Sequence, residues 1–397
     1  MPVRATKRGA ERTPLQRDCD VLICGASFAG LAVARELAGA GRDVLIVDRY
    51  DIGEKQTSAC AAPTEWLERL GLGASIQQTF SRLVVHTPKG TSTWPLPFTF
   101  STFDYRTLCA LLFEQCDATF DHAKVNGRTA FTVHTDRGDL SAPLVVDALG
   151  WRRVLGAGAN VQPPEAFLSR GLEVHPDGRG DDLELWLDPK YVRAGYSWSF
   201  PADHELRVGV GSFEPRDHVK DPTLQLARDV DVPAVRFQGN WIPHKLRKAV
   251  DDGIFFAGDS AGHCLPVTAE GIRTALYFGL AAGREIRAVL DGRQSREQAL
   301  ARYGAFSDSH AAKYLWLKRV QNLVSRVNPT PAMPYIARAM ANERLLRFAF
   351  DHYLRIAPPE FASAAQGDLA PRPRVPRRAR VPRVEPAVAQ DVGRAAR

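Results

Sequence analysis

The chain lacks the features that mark several other functional classes. No apolar run approaches the roughly 20 residues that a membrane-spanning helix needs, which argues against a helical channel or integral transporter. The six cysteines (Cys19, Cys24, Cys60, Cys109, Cys116 and Cys264) sit in apolar or small-residue segments without metal-ligand spacing. They read as reduced thiols of a cytoplasmic protein, not as a zinc site or a disulfide framework. His263 has no second ligand at helical or loop spacing, so no metal is expected. The residues before Cys19 are basic but lack the apolar core of a secretory signal. Between the ends there is no nucleic-acid recognition motif and no interleaving of aromatic and basic residues, so no nucleic-acid partner is expected.

What is present is a chain of 397 residues, long enough for two or three substructures around a large core. Its net charge of +7 is unevenly placed. Arg4 to Arg17 is basic, and Pro371 to Arg397 is dense in arginine and proline. Both stretches are too poor in apolar residues to order themselves and read as flexible tails. A hold on anionic lipid is one use for such tails, at the inner face of a membrane.

The most regular motif begins at Cys19. An apolar strand ends at Gly25, and Ala26, Ser27 and Ala29 lead through a tight turn to Gly30, which permits close packing of a helix on the strand. A helix N-terminus there carries unpaired N–H groups and the positive end of a dipole, which suits a pyrophosphate. Asp48 ends a second strand about twenty residues on, followed by Arg49, where a carboxylate can accept hydrogen bonds from an adenosine ribose. Ser27 stands where the second glycine of this fingerprint normally lies. FAD is therefore expected in preference to FMN.

A second element lies more than two hundred residues later. The apolar run Ile254 to Ala257 enters Gly258-Asp259, a small-residue loop containing Pro266, and then Gly271-Ile272 at the head of a long helix. The pairing of these distant halves resembles the large flavoprotein fold of the p-hydroxybenzoate hydroxylase type. That resemblance implies that Asp259 holds the ribityl hydroxyls and that N–H groups around Gly271 stabilise an anionic reduced flavin. It also implies that Arg106, at the head of a helix, reaches the diphosphate or ribityl chain. Asp147 ends a buried strand at the sheet edge where cofactors lie, although Ala148 replaces the glycine usual after it.

The middle of the chain alternates strands with turns. Leu183 to Asp188, Tyr196 to Phe200 and Leu206 to Gly211 all show period-two alternation, as in an antiparallel sheet. Tyr196, Trp198 and Phe200 share one face, which is either a large apolar wall or plain sheet core. The motif Tyr196-x-Trp198-x-Phe200-Pro201, followed by Val208-Gly-Val-Gly211, resembles that of the geranylgeranyl reductases. These are flavin enzymes that hydrogenate isoprenoid double bonds. The resemblance spans about 19–290 and includes the fingerprint, Cys60, Arg106, the Asp147 strand and the 266–272 loop, where Ala269 replaces a usual glycine. It implies that the three aromatics bind substrate and that Cys60 is catalytic, shaping the alkene pocket or taking part in proton delivery. It also implies an electron donor, either NADPH or a ferredoxin-like protein.

The expected architecture is α/β: a Rossmann-like FAD-binding domain with an inserted antiparallel substrate sheet and C-terminal helices. The expected segments are a disordered tail at 1–18, FAD-binding parts at 19–80, 101–160 and 251–295, and substrate-sheet parts at 81–100 and 161–250. A helical region at 296–357 and a disordered tail at 358–397 complete the plan. Helices around Tyr314 and Tyr335 are amphipathic and basic, a pattern that suits packing on the flavin domain or lying on a membrane surface. The function implied is reduction of carbon-carbon double bonds in a prenylated lipid, quinone or pigment precursor. The alternatives are a flavin monooxygenase or halogenase acting on a small aromatic or polyketide-like substrate, and a flavin-binding protein with a regulatory role.

Overall fold

Short, fully buried runs of branched residues build the first layer. In the computed structural model, which describes residues 13–56, 58–157, 168–327 and 331–363, they form a six-stranded sheet. Its order is Val250–Asp251, Ile254–Phe256, Leu144–Asp147, Val21–Cys24, Val44–Asp48, Thr119–His122. All but the edge strand Val250–Asp251 run parallel. Val21–Cys24 is buried along its whole length, as expected for a strand covered on both faces. Helix Phe28–Glu36 and the long helix Ile272–Leu290 pack against each other on this sheet. The two sequence-distant halves of the fingerprint thereby become neighbours at one sheet edge.

The second layer is an eight-stranded, mostly antiparallel sheet. Its order is Gln238–Pro243, Leu168–Val174, Glu205–Ser212, Gly195–Ala202, Leu183–Trp186, Ile76–Thr87, Gly90–Phe103, Ala61–Pro63. The hairpin 76–103 is wider than the expected 81–100 segment, and Ala61–Pro63 joins this sheet although its position suggested the FAD part at 19–80. The reason is ladder pairing that resumes after two register shifts: Pro63 opposite Phe100 and Ile76 opposite Phe103 extend the sheet until the helix Tyr105–Phe113 begins.

A four-stranded sheet of Arg17–Asp18, Asp139–Ser141, Thr132–Thr135 and Val125–Thr129 lies apart from both. It corrects the expectation of a tail through residue 18. Arg17 and Asp18 pair with Leu140 and Ser141, and Arg137 donates to the Thr13 carbonyl, so order begins earlier. At the other end, residues 358–363 are also ordered, with helix Glu360–Ser363 laid against the long helix Ile272–Leu290. The remainder of both expected tails falls outside the described residues.

The helical region contains Arg296–Asp308, Ala311–Arg326, Met333–Met340 and Glu343–Leu354. The last two pack on the hairpin of the substrate sheet, where the Trp94 indole donates to the Ala337 carbonyl at 2.8 Å. They roof the substrate layer. Among the described residues no helix is long and apolar enough to cross a membrane.

Candidate active site

A single cavity of about 1210 Å³ runs between the two sheets and under the helical roof. Its cofactor end is built by close backbone approach. Gly25 has φ +112°, and a Cβ there would lie 2.3 Å from the Ala148 carbonyl oxygen. At Gly30 a Cβ would lie 1.9 Å from the Gly25 carbonyl oxygen, a distance no side chain tolerates. Helix Phe28–Glu36 therefore starts hard against the strand end, and no side chain caps its N-terminus. Ala26, Ser27, Phe28 and Ala29 form the cavity wall there. The Ser27 hydroxyl accepts a hydrogen bond from the Tyr105 hydroxyl at 3.0 Å.

Asp48 also lies on the wall, and its carboxylate accepts from the Ala26 N–H at 2.9 Å and the Tyr50 N–H at 3.1 Å. Burial raises its pKa, and these backbone donors resist the rise. The carboxylate thus ties the turn together while facing the space where a ribose fits. Arg49 lines the same region, its guanidinium 4.8 Å from the centre of the Tyr50 ring.

Asp259 answers most directly whether this cavity suits FAD. It lies on the wall beside Gly258, and among the described residues no hydrogen bond to its side chain is found. Burial pushes its pKa up to about 6, with Arg247 opposing. A desolvated acceptor without a protein donor is matched by a ligand rich in hydroxyl groups, such as a ribityl chain. Gly271 and Ile272 line the wall beside it, where the long helix begins with no side-chain cap. The residues present therefore fit FAD.

The raised Asp259 value has a consequence for the FAD-free protein. A carboxyl whose folded pKa is raised favours folding below its unfolded pKa of 3.8, and that contribution is lost as pH climbs through about 6. The ceiling is roughly 3 kcal/mol, less wherever cavity water reaches the group. FAD-free wild type should melt progressively lower between those pH values, whereas Asp259→Asn should show a flatter profile by thermal denaturation.

Arg106, Asp147 and Pro266, all expected at the cofactor, have other placements. Arg106 is exposed and lies off the cavity wall, while its neighbour Tyr105 is on it. The cationic side chains on the wall are instead Arg49, Lys55, Lys124, Arg152, Arg170 and Arg193. Asp147 is fully buried behind the wall formed by Ala148, Leu149 and Gly150. Its oxygens accept from the Leu149 and Leu155 N–H groups and from the Ser260 hydroxyl. It locks the sheet edge to the 258–261 turn and has no acceptor face turned to the cavity.

The 266–271 loop is strained. Val267 has φ +71° and Ala269 has φ +51°, both in the left-handed region. Pro266 itself is off the wall, whereas Val267, Thr268, Ala269 and Glu270 are on it. Such strain at a ligand-facing loop costs about 1–2 kcal/mol per residue. Ala269→Gly should accordingly raise the unfolding free energy by about 1 kcal/mol, measured by urea titration, with FAD retained.

The substrate end is apolar. Tyr196, Trp198 and Phe200 all face the cavity, while Ser197 and Ser199 are buried on the opposite face of the strand. The aromatics are thus a cavity wall, not core. A Cβ at Gly209 would lie 2.3 Å from Trp198 Cζ2, and one at Gly211 would lie 3.3 Å from its Cζ3. The two glycines make a floor on which the indole lies flat, and the Trp198 Nε1–H donates to Glu173 Oε2 at 3.2 Å. The Tyr196 hydroxyl donates to the Thr268 carbonyl at 2.5 Å, joining the substrate sheet to the strained loop. Beyond Phe200 the wall continues through Leu83, Trp94, Phe100, Val324, Ile336 and Phe350 toward the helical roof.

Cys60 is on this wall, buried, with φ +52°. Its carbonyl accepts from the Phe103 N–H and the Arg207 guanidinium. Burial pushes its thiol pKa up, with Arg207 opposing, so the thiol keeps its proton and is no nucleophile. Sequence reasoning missed a charged cluster beneath Trp198, in which Glu173, His175 and Arg207 are buried and Glu205 is partly exposed. The one signal was the recurrence of charged residues at alternate strand positions, Glu173-x-His175 and Glu205-x-Arg207.

Comparisons with known proteins agree with this geometry. No family model matches the chain. A digeranylgeranylglycerophospholipid reductase of Methanosphaera stadtmanae is 25% identical over 75% of this chain and 84% of that protein. Another of that name, from Methanopyrus kandleri, is 24% identical over 83% of this chain and 92% of its own length. Among solved structures, a geranylgeranyl bacteriochlorophyll reductase-like protein of Thermoplasma acidophilum superposes with TM-score 0.74 at 16% identity, over 89% of this chain and all (100%) of that one. A myxobacterial FAD-dependent chondrochloren halogenase shares the fold at TM-score 0.61 and 16% identity, over 89% and 98% of the two chains. The chain is thus similar in sequence to proteins named as geranylgeranyl-type reductases, and it shares the fold of FAD-dependent oxidoreductases.

Proposed function

We propose that this protein uses FAD to reduce carbon-carbon double bonds in the geranylgeranyl-type chain of a lipid, quinone or pigment precursor. The observation that carries this reading is the continuity of the cavity. It joins an FAD-fitting end at Asp48, Asp259 and Gly271 to a long apolar channel at Trp198, Phe200 and Phe350. An isoprenoid chain is held on such a wall by burial of apolar surface alone. Reduced FAD supplies a hydride in this chemistry. The protein holds the alkene flat between Trp198 and Phe200, excludes water with the helical roof, and aims the Gly271 end of the long helix at negative charge. Electrons reach the cofactor from NADPH or a ferredoxin-like protein. Incubating the protein with geranylgeranyl lipids and each donor in turn, then measuring product mass, tests the reading. A gain of two hydrogens per bond supports it; an oxygenated or halogenated product assigns the chain to the monooxygenase or halogenase reading.

Part of the channel wall is formed by the roof, and the roof suits a membrane surface. Tyr335 and Phe348 on the two roof helices, and Trp316 and Leu323 on the preceding helix Ala311–Arg326, are 68, 62, 63 and 60% exposed. Arg319, Arg326, Arg338 and Arg344 are exposed among them. Ile336 is at once 46% exposed and part of the channel wall. An apolar rim set among arginines complements an anionic bilayer, from which a prenyl chain enters without crossing water. The protein should co-float with vesicles containing phosphatidylglycerol and not with pure phosphatidylcholine vesicles. The double variant Trp316→Ser, Phe348→Ser should lose most of that binding, at least tenfold in partition coefficient.

A further inference from the structure

Saturating an alkene needs a proton as well as a hydride, and a buried charged chain reaches the cavity where that proton is needed. We propose that Glu173 hands the proton to the substrate carbon, and that His175 and Glu205 behind it restore the proton to Glu173. The proposal rests on the reductase reading. Glu173 is 4% exposed and lies on the cavity wall, with Oε2 held by the Trp198 indole at 3.2 Å. Its Oε1 is 3.0 Å from His175 Nε2, and His175 Nδ1 is 3.0 Å from Glu205 Oε1. Glu205 is partly exposed, so the chain runs from cavity to solvent. The charged groups facing His175 are Glu173 and Glu205 on either side, Arg207 behind Glu205, and Arg236, which donates to the His175 carbonyl.

Burial alone would lower the His175 pKa, but the hydrogen bonds and charges of the two glutamates outweigh it and raise it to about 9. His175 is therefore an imidazolium at neutral pH, a stored proton one hydrogen bond from the cavity wall. Cys60, the acid suggested by resemblance, has its thiol pKa pushed up by burial and gives up its proton poorly. The step balances simply. One alkene carbon gains a hydride, with two electrons drawn from reduced FAD, which is oxidised by two electrons. The π pair forms the new C–H bond at the adjacent carbon with a proton that leaves His175 Nε2 and passes through the Glu173 carboxylate, so that the N–H bond breaks and His175 becomes neutral. A solvent proton then returns to His175 by way of Glu205.

Glu173 is the catalytic residue here, since it touches the substrate space, and His175 is a positioning residue that acts through it. Three measurements on the FAD-loaded protein and its Glu173→Gln, Glu173→Asp and His175→Gln variants test the assignment. Histidine-selective nitrogen NMR should find one imidazole that titrates near pH 9 in wild type and markedly lower in Glu173→Gln. Turnover with a geranylgeranyl lipid should fall about 100-fold in Glu173→Gln, recover in part in Glu173→Asp, and lose its alkaline limb in His175→Gln. FAD content and anaerobic photoreduction should be unchanged in all three. If wild type saturates the lipid but Glu173→Gln does so at full rate with the same pH profile, the proposal falls and the reductase reading stands. A Glu173→Gln protein that no longer retains FAD marks the cluster as structural and also overturns it. A wild-type protein that saturates no prenyl alkene overturns both.

Discussion

Replacing Trp198 by alanine should leave FAD bound and lower kcat/KM for a geranylgeranyl lipid roughly 100-fold. The indole lies on Gly209 and Gly211 and faces the cavity, so its removal takes away substrate contact and leaves the sheet beneath intact. Burial of an aromatic against an apolar chain contributes about 2–3 kcal/mol. The effect should appear mainly in KM, with a smaller loss in kcat as the alkene is held less firmly. Unfolding of Trp198→Ala would show that the motif is core after all. The flavin absorbance of the purified variant and its lipid kinetics decide the matter together.

Gly30→Val should have the largest effect of any single change at the cofactor end, removing FAD altogether. The Cβ would sit 1.9 Å from the Gly25 carbonyl oxygen, and that oxygen belongs to backbone pinned on both sides. Helix Phe28–Glu36 must then move off the strand, and the pyrophosphate end of the site goes with it. The control is Gly271→Ala, whose Cβ would meet its nearest neighbour, Cys264 Sγ, at an ordinary 3.5 Å. That variant should remain yellow, whereas Gly30→Val should be colourless and should not regain absorbance on addition of FAD. A yellow Gly30→Val would contradict the placement of the cofactor.

How legible these features were in the sequence depended on whether the constraint was local. Gly30 is read directly, because the clash that forbids a side chain there is with the Gly25 carbonyl at the start of the same turn. The period-two pattern of Gly195–Ala202 revealed that Tyr196, Trp198 and Phe200 share a face, but not whether that face is core or cavity. The decision lies with Ser197 and Ser199, whose buried face is packed by elements distant in sequence. Arg106 was assigned one residue out of phase: a step along a helix turns a side chain by about 100°, and Tyr105 took the cavity position. Asp147 has the right place at a strand end, yet its acceptors are taken by Leu149, Leu155 and Ser260, a matter of loop geometry that spacing does not encode. The Glu173, His175 and Glu205 chain was hidden for the same kind of reason. Its members meet only once Leu168–Val174 is laid beside Glu205–Ser212 in register.

The most direct test of the account is a single turnover without oxygen. The FAD-loaded protein is reduced, all oxygen is removed, and a geranylgeranyl lipid is added while the flavin absorbance is followed. The account predicts that the oxidised flavin spectrum returns on mixing with lipid and that the lipid gains two hydrogens per flavin reoxidised. A flavin that stays reduced until oxygen is admitted, with the lipid unchanged in mass, would contradict it.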